Sequence, residues 1–72
     1  MVDEIVLKNA VNSFLGSLTE QYRVVFMRRY WYISSVEEIA NEYGISQSKV
    51  KMSLLRSRNK LKQVLEEEGI VL

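Results

Sequence analysis

The chain has 72 residues, with no cysteine, no histidine, no proline and only three glycines. Each absence closes off a class of chemistry. Without cysteine there is neither a disulfide staple nor a thiolate metal site. Without histidine the commonest general base and the commonest zinc ligand are both missing. The carboxylates that remain are joined by no glycine-rich phosphate loop and no nucleophile motif. Neither an enzyme nor a metal or cofactor site is therefore expected. Apolar runs are short as well: no stretch approaches the ~20 residues of a membrane span. No signal peptide opens the chain, so the expected setting is cytoplasmic, with no membrane partner. Low-complexity segments and long linkers are absent. Residues 1–72 read as one small domain, near the lower size limit for a self-sufficient core.

What is present is a charge asymmetry that the net value of +1 conceals. Residues 1–45 hold four cations (Lys8, Arg23, Arg28, Arg29) against six acids, a balance of −2. Residues 46–72 hold six cations (Lys49, Lys51, Arg56, Arg58, Lys60, Lys62) against three acids, a balance of +3. Local asymmetry of this kind is a better footprint of a polyanion contact than the total.

Apolar residues recur with the 3.6-residue period, which predicts an all-α fold of four helices. The first spans about Asp3 to Leu15, with Leu7, Val11 and Phe14 inward and Gly16 as its stop. Ser17-Leu18-Thr19-Glu20 reads as a capping box with Ser17 as the cap, Thr19 being the other choice. The second helix runs to about Tyr30 and turns Leu18, Tyr22, Val25 and Phe26 inward. Tyr30-Trp31-Tyr32 follows. Three adjacent aromatics cannot share one face, and Trp31 is expected to cap the core beside a turn. The alternative is that it meets a partner. Ser35-Val36-Glu37-Glu38 is a second capping box. It opens a third helix with an inward stripe of Val36, Ile39, Ala40 and Tyr43. Gly44 stands where a helix end needs positive φ. Ser46 or Ser48 caps the fourth helix, which continues to about Glu68. The Glu66-Glu67-Glu68 run opposes the helix dipole, so fraying is expected there.

The third and fourth helices are joined by about three residues that include a glycine. That is the spacing of a helix-turn-helix, here over about residues 35–62. Its mechanical demands are met in turn. Ala40 is small where the helices approach, Gly44 permits the turn, Ile45 plugs the corner, and Val50 and Leu54 bind the second helix to the first. Rotation of ~100° per residue sorts the faces of the fourth helix. Val50, Leu54, Ser57, Leu61 and Leu65 form the buried sector. Lys49, Ser53, Arg56 and Lys60 form one flank, and Lys51, Arg58 and Lys62 the other. Ser48, Met52 and Asn59 point away from the core. Cations straddling a face of small side chains suit a helix in a DNA groove, with charges on phosphates and the middle against base edges. Only the N-terminal half is expected to enter. The candidate DNA-contacting residues are Ser35, Ser46, Gln47, Ser48, Lys49, Lys51, Met52, Ser53, Arg56, Arg58 and Lys60. Of these, Arg58 and Lys60 belong with phosphate contacts or solvated surface.

The segments "LTEQYRVVFMRRY", "SVEEIANEYGIS" and "KVKMSLLRSR" resemble region 4 of bacterial sigma factors, most closely the extracytoplasmic-function group. Arg23, Glu38-Ile39-Ala40, Gly44-Ile45-Ser46, Val50-Lys51, Leu54, Arg56 and Arg58 carry the likeness across more than half of the chain. The resemblance implies a small four-helix domain ending in a helix-turn-helix, winged-helix-like but without a wing. It also implies recognition of the −35 promoter element, docking on the flap of the RNA polymerase β subunit, and capture by an anti-sigma factor. Three positions depart from the family pattern. Thr19 replaces a common proline, Lys49 replaces threonine, and Met52-Ser53 replaces Ser-Arg, removing a frequent DNA-contacting guanidinium. Nothing here resembles region 2. The chain is either an excised C-terminal domain or a stand-alone protein.

Two other readings stay open: the output domain of a different helix-turn-helix regulator, and a protein-interaction module that has lost DNA binding. Dimerisation through Met52, Leu55 or Trp31 is not favoured, because singly scattered surface apolars are ordinary. The expected state is a monomer.

Overall fold

A computed structural model describes residues 4–70. These form four helices: α1 (Glu4–Ser17), α2 (Glu20–Tyr30), α3 (Val36–Tyr43) and α4 (Gln47–Glu67). No strand occurs among the described residues. α4 is the axis of the arrangement. Its 21 residues extend about 31 Å at 1.5 Å per residue, most of the 39 Å long dimension. α1, α2 and α3 all pack against it.

Local chemistry explains the helix ends. Thr19, in extended conformation, caps α2 by accepting from the Tyr22 amide. Ser17 therefore does not fill the cap role read from the sequence. Its hydroxyl donates back to the Phe14 carbonyl, and α1 runs through Gly16 to include it. Gly16 is not a stop because the turn is closed by other groups. The Leu18 amide donates to the Leu15 carbonyl, and Arg23 donates to the carbonyls of Leu15 at 2.9 Å and Leu18 at 3.1 Å. The expected capping box at α3 forms in full, with Ser35 and Glu38 exchanging bonds of 3.0 Å in both directions. These bonds favour the ionised form, so Glu38 titrates below its ordinary carboxylate value. α4 ends on a Schellman-type closure, with Gly69 at φ 70°. The Gly69 amide bonds the Glu66 carbonyl, the Ile70 amide bonds the Leu65 carbonyl, and Ile70 is buried. The acidic run thus occupies the last turn and cap of α4, and the glycine closure supplies amide partners for the Leu65 and Glu66 carbonyls.

The core has two parts. Val25, Ile39, Ala40, Val50 and Leu54 form one cluster, with Val36 and Ile45 packed against it. This cluster ties α2 and α3 to α4. Between α1 and α2, Phe14 meets Phe26 edge-on at 5.0 Å, and Phe26 meets Tyr30 at 4.7 Å. Ala10 is the buried residue of α1 that the sequence pattern passed over.

Trp31 does not cap this core; it is 73% exposed. Tyr30 takes the stacking position instead, and the chain then turns outward. The Trp31 and Tyr32 amides both donate to the Met27 carbonyl, closing α2. Ile33 follows at φ 57°, a strained conformation for a β-branched residue. Tyr32 and Ile33 are exposed beside Trp31. Tyr43 is also more exposed than its place in the stripe implied. Its ring lies at the C-terminal end of α3, where its hydroxyl accepts from Arg28.

Candidate nucleic-acid interface

Gly44 ends α3 in the left-handed region at φ 65°, and both its amide and that of Ile45 donate to the Ala40 carbonyl. Residues 44–46 are the whole connection. Ser46 then caps α4, accepting from the Lys49 amide at 3.1 Å. Of the two serines proposed for that role, Ser46 takes it, which leaves the exposed Ser48 hydroxyl available. The α3–α4 pair thus has the short, glycine-hinged geometry of a helix-turn-helix.

The first turn of α4 contains no acid. Its free amide groups and the positive end of the helix dipole meet no local carboxylate, the electrostatic condition for receiving a phosphate. α3 is different: Glu37 and Glu38 occupy its first turn. Ser35 is exposed, but its hydroxyl oxygen is already engaged by the Glu38 amide. Ser46, Gln47, Ser48, Lys49, Lys51 and Met52 are all exposed on the leading half of α4. Arg56, Arg58 and Lys60 are exposed further along.

Ser53 is the exception. It is 5% exposed and its hydroxyl has no hydrogen-bond partner. Placing Ser53 on a DNA-facing flank is therefore corrected: its side chain belongs to the interior. Val50, Ser53, Leu54 and Ser57 make an i, i+3, i+4, i+7 stripe, and all four are buried. The sector is wider than the sequence reading allowed because α4 contacts three helices rather than one. Leu61 and Leu65, by contrast, are only half-buried toward the C-terminal end. Ser53 lines a cleft of about 70 Å³ with Tyr22 and Val25 of α2 and with Lys49, Met52 and Arg56 of α4. A small side chain here lets α2 and α4 approach closely.

Two residues that the sequence pattern did not assign to the candidate site, Tyr22 and Tyr30, are hydrogen-bonded to its arginines. The Arg56 guanidinium donates to the Tyr22 hydroxyl at 2.9 Å. The Arg58 guanidinium donates to the Tyr30 hydroxyl, also at 2.9 Å. Both tyrosines come from α2, and the two arginines point to opposite flanks of α4. Sequence periodicity marks a tyrosine as inward-leaning. It carries no signal for a partner 34 or 28 residues away.

The described residues contain no cluster of carboxylates suited to a metal. No described helix is long and apolar enough to cross a membrane. What the arrangement can do is present an exposed, acid-free helix start flanked by cations. The sequence-family model for "Sigma-70, region 4" matches residues 8–61, an interval that takes in most of α1, all of α2 and α3, and α4 as far as Leu61. The chain belongs to the sigma-70 region 4 family, the DNA-binding helix-turn-helix modules of sigma factors.

Proposed function

We propose that this chain is a non-enzymatic transcription-initiation module that recognises a −35-type promoter element through the leading half of α4 and docks on the RNA polymerase core. The observation that carries the reading is the start of α4. Gln47, Ser48, Lys49, Lys51 and Met52 are exposed on a helix with no acid in its first turn. A helix so placed reads base edges with its middle residues and meets phosphates with its flanks. Ser46, Arg56, Arg58 and Lys60 fall to the phosphate side of that division. Ser35 contributes through the α3 cap. Residues 1–72 act as one unit, monomeric and cytoplasmic.

Docking on polymerase, with the β flap as the site, rests on the family and on a partly apolar groove between α2 and the α3–α4 turn. A groove of about 330 Å³ runs between Glu20, Gln21, Val24 and Val25 of α2, Tyr43 at the end of α3 and Ile45 in the turn that follows. An anti-sigma factor would compete for the same kind of surface.

Binding to a −35-type duplex is expected to weaken steeply with salt, because each neutralised phosphate releases counterions. Titration of the folded chain against promoter duplex at several salt concentrations, with polymerase core tested in parallel, decides the matter. Duplex binding that is absent or independent of salt would sink the DNA reading. Binding to core alone would favour a second reading, a protein-interaction module. The exposed Trp31, Tyr32 and Ile33 speak for that second reading.

A further inference from the structure

We infer that Tyr22 and Tyr30 are positioning residues: their hydroxyls hold the guanidinium groups of Arg56 and Arg58 in place, pre-set for DNA phosphates on the two walls of a groove. The inference rests on the proposed reading of α4 as the DNA-facing helix and adds the device that orients its flanks.

Three observations carry it. Each arginine of α4 is bonded at 2.9 Å to a phenol from α2. Arg56 and Arg58 are two positions apart on a helix, and so lie about 200° apart around it. One support therefore stands on each flank. The partner in each case is a neutral oxygen. An arginine carries five N–H donors and the phenol takes one, so charge and the remaining donors stay available for a phosphate. Arg28 shows the contrast on the same molecule. It is bonded to the Glu42 carboxylate and to the Tyr43 hydroxyl, and the carboxylate cancels its charge.

Both rings have one packed face. Tyr30, 44% exposed, leans on Phe26 at 4.7 Å, and Phe26 meets Phe14 edge-on. Tyr22 lines the α2–α4 cleft beside Val25 and Ser53. A ring with two side-chain torsions and one packed face thus restrains a longer, more flexible cation. Immobilising a rotamer-rich side chain on binding costs conformational entropy. When the ordering is already present in the free protein, that cost does not weaken the complex.

The test is a double-mutant cycle on the full chain with a mixed-sequence DNA duplex of about two helical turns, which isolates the phosphate contribution. Tyr22→Phe is expected to weaken binding about threefold, within the ordering cost of one side chain. The slope of log K against log salt should not change, since the cation is retained. Arg56→Ala should lower the magnitude of that slope by about 0.9, the loss of one phosphate contact. In the double variant, Tyr22→Phe should add nothing further. Tyr30→Phe with Arg58→Ala repeats the cycle on the other flank. Thermal unfolding of each variant confirms equal folded fractions. The positioning role is overturned if Tyr22→Phe and Tyr30→Phe bind like the parent, or if either weakens binding equally with its arginine absent. Those results would leave DNA binding intact. A parent chain with no salt-dependent binding would instead remove the DNA reading, and the positioning role with it.

Discussion

Arg23, Arg28 and Arg29 on α2 turn their guanidinium groups onto the protein's own carbonyls and carboxylate; Arg56 and Arg58 on α4 are each held by a phenol. Arg23 closes the α1–α2 turn through the Leu15 and Leu18 carbonyls. Arg29 donates to the Ser34 carbonyl at 3.2 Å. Arg28 lies 5.2 Å from the centre of the Tyr32 ring. The Tyr43 hydroxyl and the Glu42 carboxylate together hold its pKa above the ordinary guanidinium value. One residue type thus fills two roles. On α2 it fixes the backbone where the chain turns, through Arg23 and Arg29, or pairs with a carboxylate, through Arg28. On α4 it is steadied without being neutralised. The formal charge of +1 hides this division, since cations already committed to internal partners count the same as cations available to a ligand.

The comparison breaks most readily at Arg23. Arg23→Ala removes two charge-assisted bonds to carbonyls and should cost about 2 kcal/mol of stability, read from the urea midpoint. Its folded fraction should bind DNA as the parent does. A variant of unchanged stability and reduced DNA affinity would erase the distinction between the two helices.

Salt dependence sharpens the same contrast. The loss of slope expected for Arg56→Ala should have only a small counterpart in Arg28→Ala, because Glu42 already offsets that charge. Equal changes in slope would show that α2 reaches the phosphates as well.

A smaller effect is expected in the seam beneath those cations. Ser57 is 1% exposed and its hydroxyl has no partner. Ser57→Ala removes a desolvated polar group at nearly constant volume. It should stabilise the domain by about 1 kcal/mol, visible as a higher unfolding temperature, with DNA affinity unchanged. Destabilisation would mean that the hydroxyl has a partner after all.

The smallest effect concerns the charge that holds the start of α3. The folded-state pKa of Glu38 is depressed, chiefly by the bond from the Ser35 amide and then by the Ser35 hydroxyl. A depressed carboxylate contributes stability above its unfolded value of about 4.3 and loses it as pH falls through the folded value. Glu38→Gln keeps an acceptor but no charge. It should be slightly less stable than the parent at neutral pH, and the difference should close in acid. A gap that persists well below pH of about 3 would assign the contribution to packing instead.

Much of the fold was legible in short segments. Ser35 and Glu38 stand three apart, and the box they form depends on nothing else in the chain. Gly44 was readable for the same reason, since a left-handed turn between two periodic stripes favours glycine. Errors arose where several elements compete for one residue. Trp31 looked like a core residue by size, but Tyr30 filled the place against Phe26. Gly16 looked like a stop, yet Arg23 closes that turn from eight residues away. The exposed face at the start of α4 was also legible, because Val50 and Leu54 turn toward the core and the helical period places Ser48, Lys51 and Met52 away from it. Ser53 was not, because a face count cannot say how many helices will pack on one side.

The sequence by itself determined four helices, the Ser35–Glu38 capping box, the glycine-hinged turn and the basic character of α4. All of these depend on residues a few positions apart, where local sterics and backbone hydrogen bonding dominate. Tertiary structure alone decided the width of the buried sector on α4, the exposure of Trp31 and which arginines meet carbonyls or a carboxylate and which meet a phenol. Those outcomes depend on which groups meet across 28 or 34 residues of chain. Only packing of α2 against α4 brings a phenol within 2.9 Å of a guanidinium.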